Sequence, residues 1–356
     1  MNRRALSSQA PGRRAWVLPL LLALAGCSST WAPRTLSPEA ALQWPPAPAP
    51  AKVGFVQSLS GFTPETSART VLESVVFGSD SEEKNAFVLP VAVAVGRDER
   101  IAVADLGRRC VHLYLPQSRS YLRLTGAKER PIGSPVGVAF DDTLRLYLTD
   151  SSGAVFVFAA DGSPERVLTH AGSEPLQRPT GIAFSRAANL LYVTDTLAQK
   201  VHALRIPTGE VAFSFGGRGI EPGRFNFPTH LFDTTAGELY VADALNFRIA
   251  IFDEKGTFLR QFGHHGDGWG DLAMPKGVAA DNHGVVYVAD AMFDNVQLFS
   301  ATGDFLLTLG QRGVGFGEFW LPAGLFLDHR GRLYVCDTYN HRIQIFQIRE
   351  GYDGAS

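Results

Sequence analysis

The sequence predicts an all-β protein, a six-bladed β-propeller of four-stranded blades whose last blade is completed by an N-terminal strand. Three observations carry this. A strand ending in Asp recurs as "IAVAD" to Asp105, "LYLTD" to Asp150, "LYVTD" to Asp195, "LYVAD" to Asp243, "VYVAD" to Asp290 and "LYVCD" to Asp337, at spacings of 45, 45, 48, 47 and 47 residues. Upstream of each, a Pro opens a short apolar strand: Pro90, Pro135, Pro179, Pro228, Pro275 and Pro322. Downstream come a third strand such as "RIAIF" and a fourth such as "FLRQFG", with the period-2 alternation of half-buried β structure. Turns such as "AGE", "NHG" and "EKG" punctuate the joins. Four strands in every 40–50 residues or so is the arithmetic of a propeller. The composition agrees: 36 Gly and 21 Pro supply turns, and 45% apolar residues supply a core.

The elements follow in order. Residues 1–26 hold four Arg and no acid, then an apolar run from Ala15 to Ala25 that is too short to span a bilayer comfortably, the pattern of an export signal. The end of that run, Leu24-Ala25-Gly26-Cys27, resembles the lipobox of bacterial lipoproteins. The resemblance implies cleavage before Cys27, acylation of Cys27 and a lipid anchor in the cell envelope. Ser28 rather than Asp after the Cys implies the outer membrane. Several acyl chains, at about 0.8 kcal/mol per buried methylene, hold where one does not. Residues 27–52, rich in Pro, Ala and Ser, read as a tether. The propeller is expected over 53–350.

The repeat residues, P-x-G-[IVL]-x-x, then G-x-[LV]-Y-V-x-D, then N-x-R-I-x-[IV]-F, resemble the NHL repeat over residues 68–348, best in the third to sixth copies. In the first, Ala92 replaces the Gly, and the second is one residue short at "SSGAV". The sixth copy lacks its fourth strand, and an open ring would leave unpaired edges. Residues 71–78, "VLESVVFG", are expected to supply it, because Gly78 precedes Pro90 by 12 residues, as Gly216, Gly263 and Gly310 precede their Pro. Residues 53–62, "VGFVQSLSGF", are expected to add one more strand or to lie across the ring.

Functional residues are fewer. The six Asp, one per blade before a tight turn, are expected to accept hydrogen bonds from their own turns, with Arg248 or Arg342 five positions later as partners for some. The glycine-rich segments "GGRGIEPGR", "GHHGDGWG" and "GQRGVGFG" precede no helix and read as crossings between blades, not phosphate cradles. In lactonase-like six-bladed relatives, carboxylates and amides at the start of the inner strands hold a divalent metal. Here those positions are Val91-Ala92, Val136-Gly137, Thr180-Gly181, Thr229-His230, Lys276-Gly277 and Ala323-Gly324, without a carboxylate. Peptidyl-amidating lyase, another six-bladed relative, places zinc-binding His directly after this Pro, and none stands there. His230, with His264 and His265 in the next crossing, is the one candidate for a metal cluster, and a zinc site needs three convergent ligands. No metal or other cofactor is therefore expected. Cys110 and Cys336, in the first and last blades, are a possible disulfide in an oxidising envelope.

The loops after each Asp vary while their strands do not, and they bring Arg109, Phe247, Phe293, Tyr339 and His341 to one face; with His230 these form the candidate binding surface. The expected function is a lipid-anchored envelope module that recognises a protein, peptide or glycan through that face. A metal-dependent hydrolase or lyase with its site in the channel is the alternative. Outside the signal, 29 basic residues face 35 acidic ones, and that acidic balance with export excludes a nucleic-acid partner.

Overall fold

The computed structural model describes residues 30–65, 85–127 and 130–349. Six antiparallel sheets follow one another along the chain. The first blade runs Pro90–Val95, Ile101–Asp105, Cys110–Leu115 and Ser120–Leu124 from inner to outer strand, and the four sheets after it repeat that order. Each inner strand opens at its Pro and each second strand closes at its Asp, as the repeat arithmetic requires. The only helical turns among the described residues are Ala244–Asn246 and Thr338–Asn340, each closed by a residue with positive φ, Phe247 and His341.

The core lies between the blades. Alternating strand residues point to opposite faces of each sheet, so one blade feeds two clusters. Val111 and Leu113 face the second blade with Val138 and Phe156, while Val103 and Tyr114 face the sixth with Cys336 and Ile343. The same alternation continues round the ring among Tyr147 and Val193, Tyr192 and Val241, Ile251 and Val288, and Tyr287 and Val335. Burial on both faces explains why "LYVAD"-type strands are apolar nearly throughout.

The ring closes with a segment other than the one expected. Val53–Pro64, not residues 71–78, pairs antiparallel with Arg342–Ile348 as the fourth strand of the sixth blade. Residues 71–78 lie outside the described residues. The pairing contains a bulge. The register runs Phe55↔Phe346 and then Gln57↔Ile345, leaving Val56 unpaired and 37% exposed. One extra residue flips every later side chain to the other face. Val53 and Phe55 therefore pack toward the fifth blade and Leu59 toward the first, and a second register shift between Leu59 and Phe62 sets Phe62 toward the first blade as well.

Part of the expected tether is also folded. Trp31–Leu36 adds a fifth strand outside Val53–Pro64, and Gln43–Trp44 pairs with its start. Two tryptophans make the difference, because each buries a large apolar ring. Trp31 lies 4.7 Å from the Tyr121 ring and its N–H donates to the Arg119 carbonyl, fastening the N-terminus to the first blade. Trp44 packs against Phe346 and fills the space beside Gly317, where a Cβ would stand 2.4 Å from the indole.

Candidate functional site

One face of the disc is built by the six Asp. Each is fully buried and ends its second strand at the top of its blade. The carboxylates take main-chain N–H groups from the two residues ahead of the inner-strand Pro: Val88 and Leu89 on Asp105 at 2.8 and 3.0 Å, Gln177 and Arg178 on Asp195 at 2.8 Å each, Ala273 and Met274 on Asp290 at 2.7 and 3.0 Å. The expected bonds from the following turn are also present, as from Arg108 to Asp105 and Met292 to Asp290. In the fourth and sixth blades one amide goes elsewhere: Phe227 donates to Gln199 and Leu321 to Asp294, both in the preceding blade. Arg248 and Arg342 do pair with Asp243 and Asp337, at 2.9 and 2.7 Å, and also donate to carbonyls of the glycine-rich crossings. The Asp ring is consumed by structure.

That stapling sets the loops after the Asp around the channel mouth. Their N–H groups donate to the crossing segments just ahead of the inner-strand Pro: Leu106 to Leu89, Thr196 to Arg178, Leu245 to Asn226, Ala291 to Met274, Tyr339 to Trp320. The residue two beyond each Asp then points out. In four consecutive blades it is Leu197, Leu245, Met292 and Tyr339, 48, 49, 62 and 45% exposed, and Trp320 stacks on Tyr339 at 5.6 Å. In the first two blades the same position is Gly107 and Ser152. The result is an apolar arc over two thirds of the rim. Exposed apolar side chains repeated at one position on a single face suit an interaction surface.

The residues singled out in the sequence fall on this face in unequal roles. Tyr339 belongs to the arc. Arg109 is exposed, has φ of 53° and makes no ion pair among the described residues. Phe247 is covered by His265, ring centroids 4.4 Å apart, and Phe293 is half-buried. His341 turns across the closure and contacts the Val88 carbonyl through Nδ1. Cys27 lies outside the described residues. Leu197, Leu245 and Met292 join the arc at a fixed offset of two from the Asp, a signal that shows only when the loops are aligned by blade, and Trp320 joins it from the crossing.

His230 lines the channel on the fourth inner strand, where its Nδ1 accepts the Val278 N–H at 3.3 Å. His264 pairs with Asp271 and His265 packs on Phe247, so the three do not converge. Among the described residues no group of three or more His, Cys, Asp or Glu side chains is placed to hold a metal ion. The disulfide considered for Cys110 and Cys336 is not formed. Both are free and buried. Cys110 lies on a third strand beside His112 at 3.6 Å and Cys336 on a second strand within the seam of the sixth and first blades, and burial pushes the Cys110 thiol up to about 12 and Cys336 upward as well.

Two half-buried titratable groups predict opposite pH responses. Burial drives His230 down to about 4. A lowered His stays neutral when folded and takes a proton on unfolding, so its contribution is complete above about pH 6.5 and is lost as pH falls toward 4. Asp233, at the far end of the same strand, is raised to about 7 by burial and by Glu254, although Ser185 opposes this, and its Oδ1 is buried without a partner. A raised carboxyl contributes stability below its ordinary value, and that contribution is lost as pH rises through 7. Asp233→Asn is expected to raise stability at pH 8 by about 1–2 kcal/mol and to change little at pH 4. His230→Gln is expected to flatten the decline between pH 6.5 and 4. Urea midpoints measured from pH 4 to pH 8 check both.

Residues 319–346 match the family model of the NHL repeat. The RING finger protein nhl-1 of Caenorhabditis elegans is 36% identical over 66 residues, 18% of this chain and 7% of that protein, so the chain spans a small part of that relative's length. An auxiliary nutrient binding protein from Bacteroides thetaiotaomicron superposes with a TM-score of 0.57 at 12% identity, over 73% of this chain and 69% of that one. A gluconolactonase from Xanthomonas campestris superposes at 0.56 and 17% identity, over 74% and 87%. At such identities the likeness is one of fold. Repeat, ring and closure agree, and the chain is a six-bladed β-propeller whose sixth blade carries the matched NHL repeat.

Proposed function

We propose that this propeller is a lipid-anchored module of the bacterial cell envelope that binds a protein or peptide through the face carrying the apolar arc. The observation that carries the reading is the arc itself: Leu197, Leu245, Met292 and Tyr339 occupy one structural position in four successive blades and are held outward by the Asp staples beneath them. Burying four such side chains against a partner is worth several kcal/mol, at about 25 cal/mol per Å². The same scaffold leaves the opposite face to Asp-, Thr- and Ser-based turns, as in Asp141, Thr234, Asp281 and Ser300. Anchoring rests on the Cys27 motif.

A photo-crosslinking side chain placed at Met292 is expected to give a discrete adduct in the native envelope, and the same group at Ala236 on the opposite face is not. Adducts from both positions, or from neither, would remove the support for a one-sided binding surface. Replacing Cys27 by Ser is expected to release the protein from membranes into the soluble fraction.

A further inference from the structure

Two cations at the channel mouth are left without counter-charge. Lys276 is the first residue after Pro275 on the fifth inner strand, half-buried at the top of the channel. Arg178 stands just ahead of Pro179 in the third blade, its N–H held by Asp195 and its side chain exposed. Neither forms an ion pair with a carboxylate among the described residues. The fourth blade lies between them and offers Thr229, whose hydroxyl reaches only the Ala242 carbonyl, at a long 3.5 Å. Lost hydration and the neighbouring Arg178, in that order, disfavour the charge on Lys276. Packing does not demand a cation there, since the other five blades fill the position with Val91, Val136, Thr180, Thr229 and Ala323. A bound anion reverses the cost of bringing like charges together. The exposed Leu245 and Met292 stand on loops bonded to Asn226 and Met274, just ahead of the inner strands that carry Thr229 and Lys276.

We propose that Lys276 and Arg178, with Thr229 between them, form a binding site for a compact organic anion, a carboxylate or phosphate monoester, whose apolar body lies over Leu245 and Met292. The site rests on the binding reading of this face and gives it a ligand class. Bonds from an ammonium or guanidinium to an anionic oxygen are the stronger kind, and a lysine in a half-dry pocket provides one without bidentate geometry.

The test titrates the full-length protein with hexanoate, hexyl phosphate and the neutral hexanamide, followed by calorimetry and thermal unfolding. At least one anion is expected to bind and raise the Tm while hexanamide does not, and the tighter of the two identifies the headgroup. Lys276→Gln and Arg178→Gln are each expected to weaken binding by about tenfold. Lys276→Met is expected to raise the Tm of the ligand-free protein while abolishing binding, the reverse of what loss of a purely structural lysine does. Equal binding of hexanamide, wild-type affinity in a folded Lys276→Gln protein, or no binding of either anion at millimolar concentration overturns the site. Crosslinking at Met292 is read separately, so loss of the macromolecular partner and loss of the anion are distinguishable results.

Discussion

Phe62→Ala is expected to lower the free energy of unfolding by about 3–5 kcal/mol, the range for an aromatic ring deleted from a core. Phe62 is fully buried in the seam where the N-terminal strand meets the first blade, with the rings of Phe87, Tyr114 and Tyr121 at 5.9, 5.2 and 5.3 Å. It thus packs the seam at which the sixth-blade sheet meets the first blade. A lower urea midpoint with unchanged slope is the readout. Leu36→Ala, on the outermost strand at 62% exposure, is expected to change stability by less than about 0.5 kcal/mol. Deleting residues 31–64 is expected to remove the cooperative transition altogether, because the sixth and first blades would face each other across an unpaired edge. An undisturbed midpoint in that truncation would place the closure elsewhere.

Asp337→Ala is expected to cost a similar amount, about 3–5 kcal/mol, by a different mechanism. Its carboxylate accepts from the Trp320 N–H at 2.8 Å, Arg342 Nε at 2.7 Å, Gln344 Nε2 at 2.8 Å and Asn340 Nδ2 at 2.9 Å. Removing it strands a largely buried guanidinium and frees the crossing that Arg342 holds through the Glu318 carbonyl. Asp337→Ala combined with Arg342→Met is expected to recover part of the loss, since the second change removes the uncompensated charge. Strictly additive losses in that double-mutant cycle would show that the two groups do not act as a pair.

The repeated elements were legible because each blade states the same local rules. A Pro starts the inner strand, an Asp ends the second, and apolar residues fill strands buried on both sides. The structural duty of the Asp could be read from position alone, though their main donors lie 16 and 17 residues upstream, beyond the reach of a local turn rule. The closing strand is hidden in the sequence because "VGFVQSLSGF" breaks its alternation at the Val56 bulge, while "VLESVVFG" satisfies the spacing of the other blades. Trp31 and Trp44 lie in a Pro- and Ala-rich stretch whose composition argues for a tether. The apolar arc is half visible in the sequence: Tyr339 stands out as an aromatic in a loop, whereas Leu197, Leu245 and Met292 look like ordinary core residues until their loops are turned outward.

The sequence by itself determined the number of blades, the strand order within each and the face on which the variable loops stand. These follow from a period and from residues acting on near neighbours. Only the tertiary structure decided which N-terminal segment seals the ring, that Cys110 and Cys336 stay apart, and that Lys276 and Arg178 share the channel mouth. Each of those depends on residues tens to hundreds of positions apart meeting at a seam or across the channel. Such meetings are set by the curvature of the closed ring, which no local stretch of chain encodes.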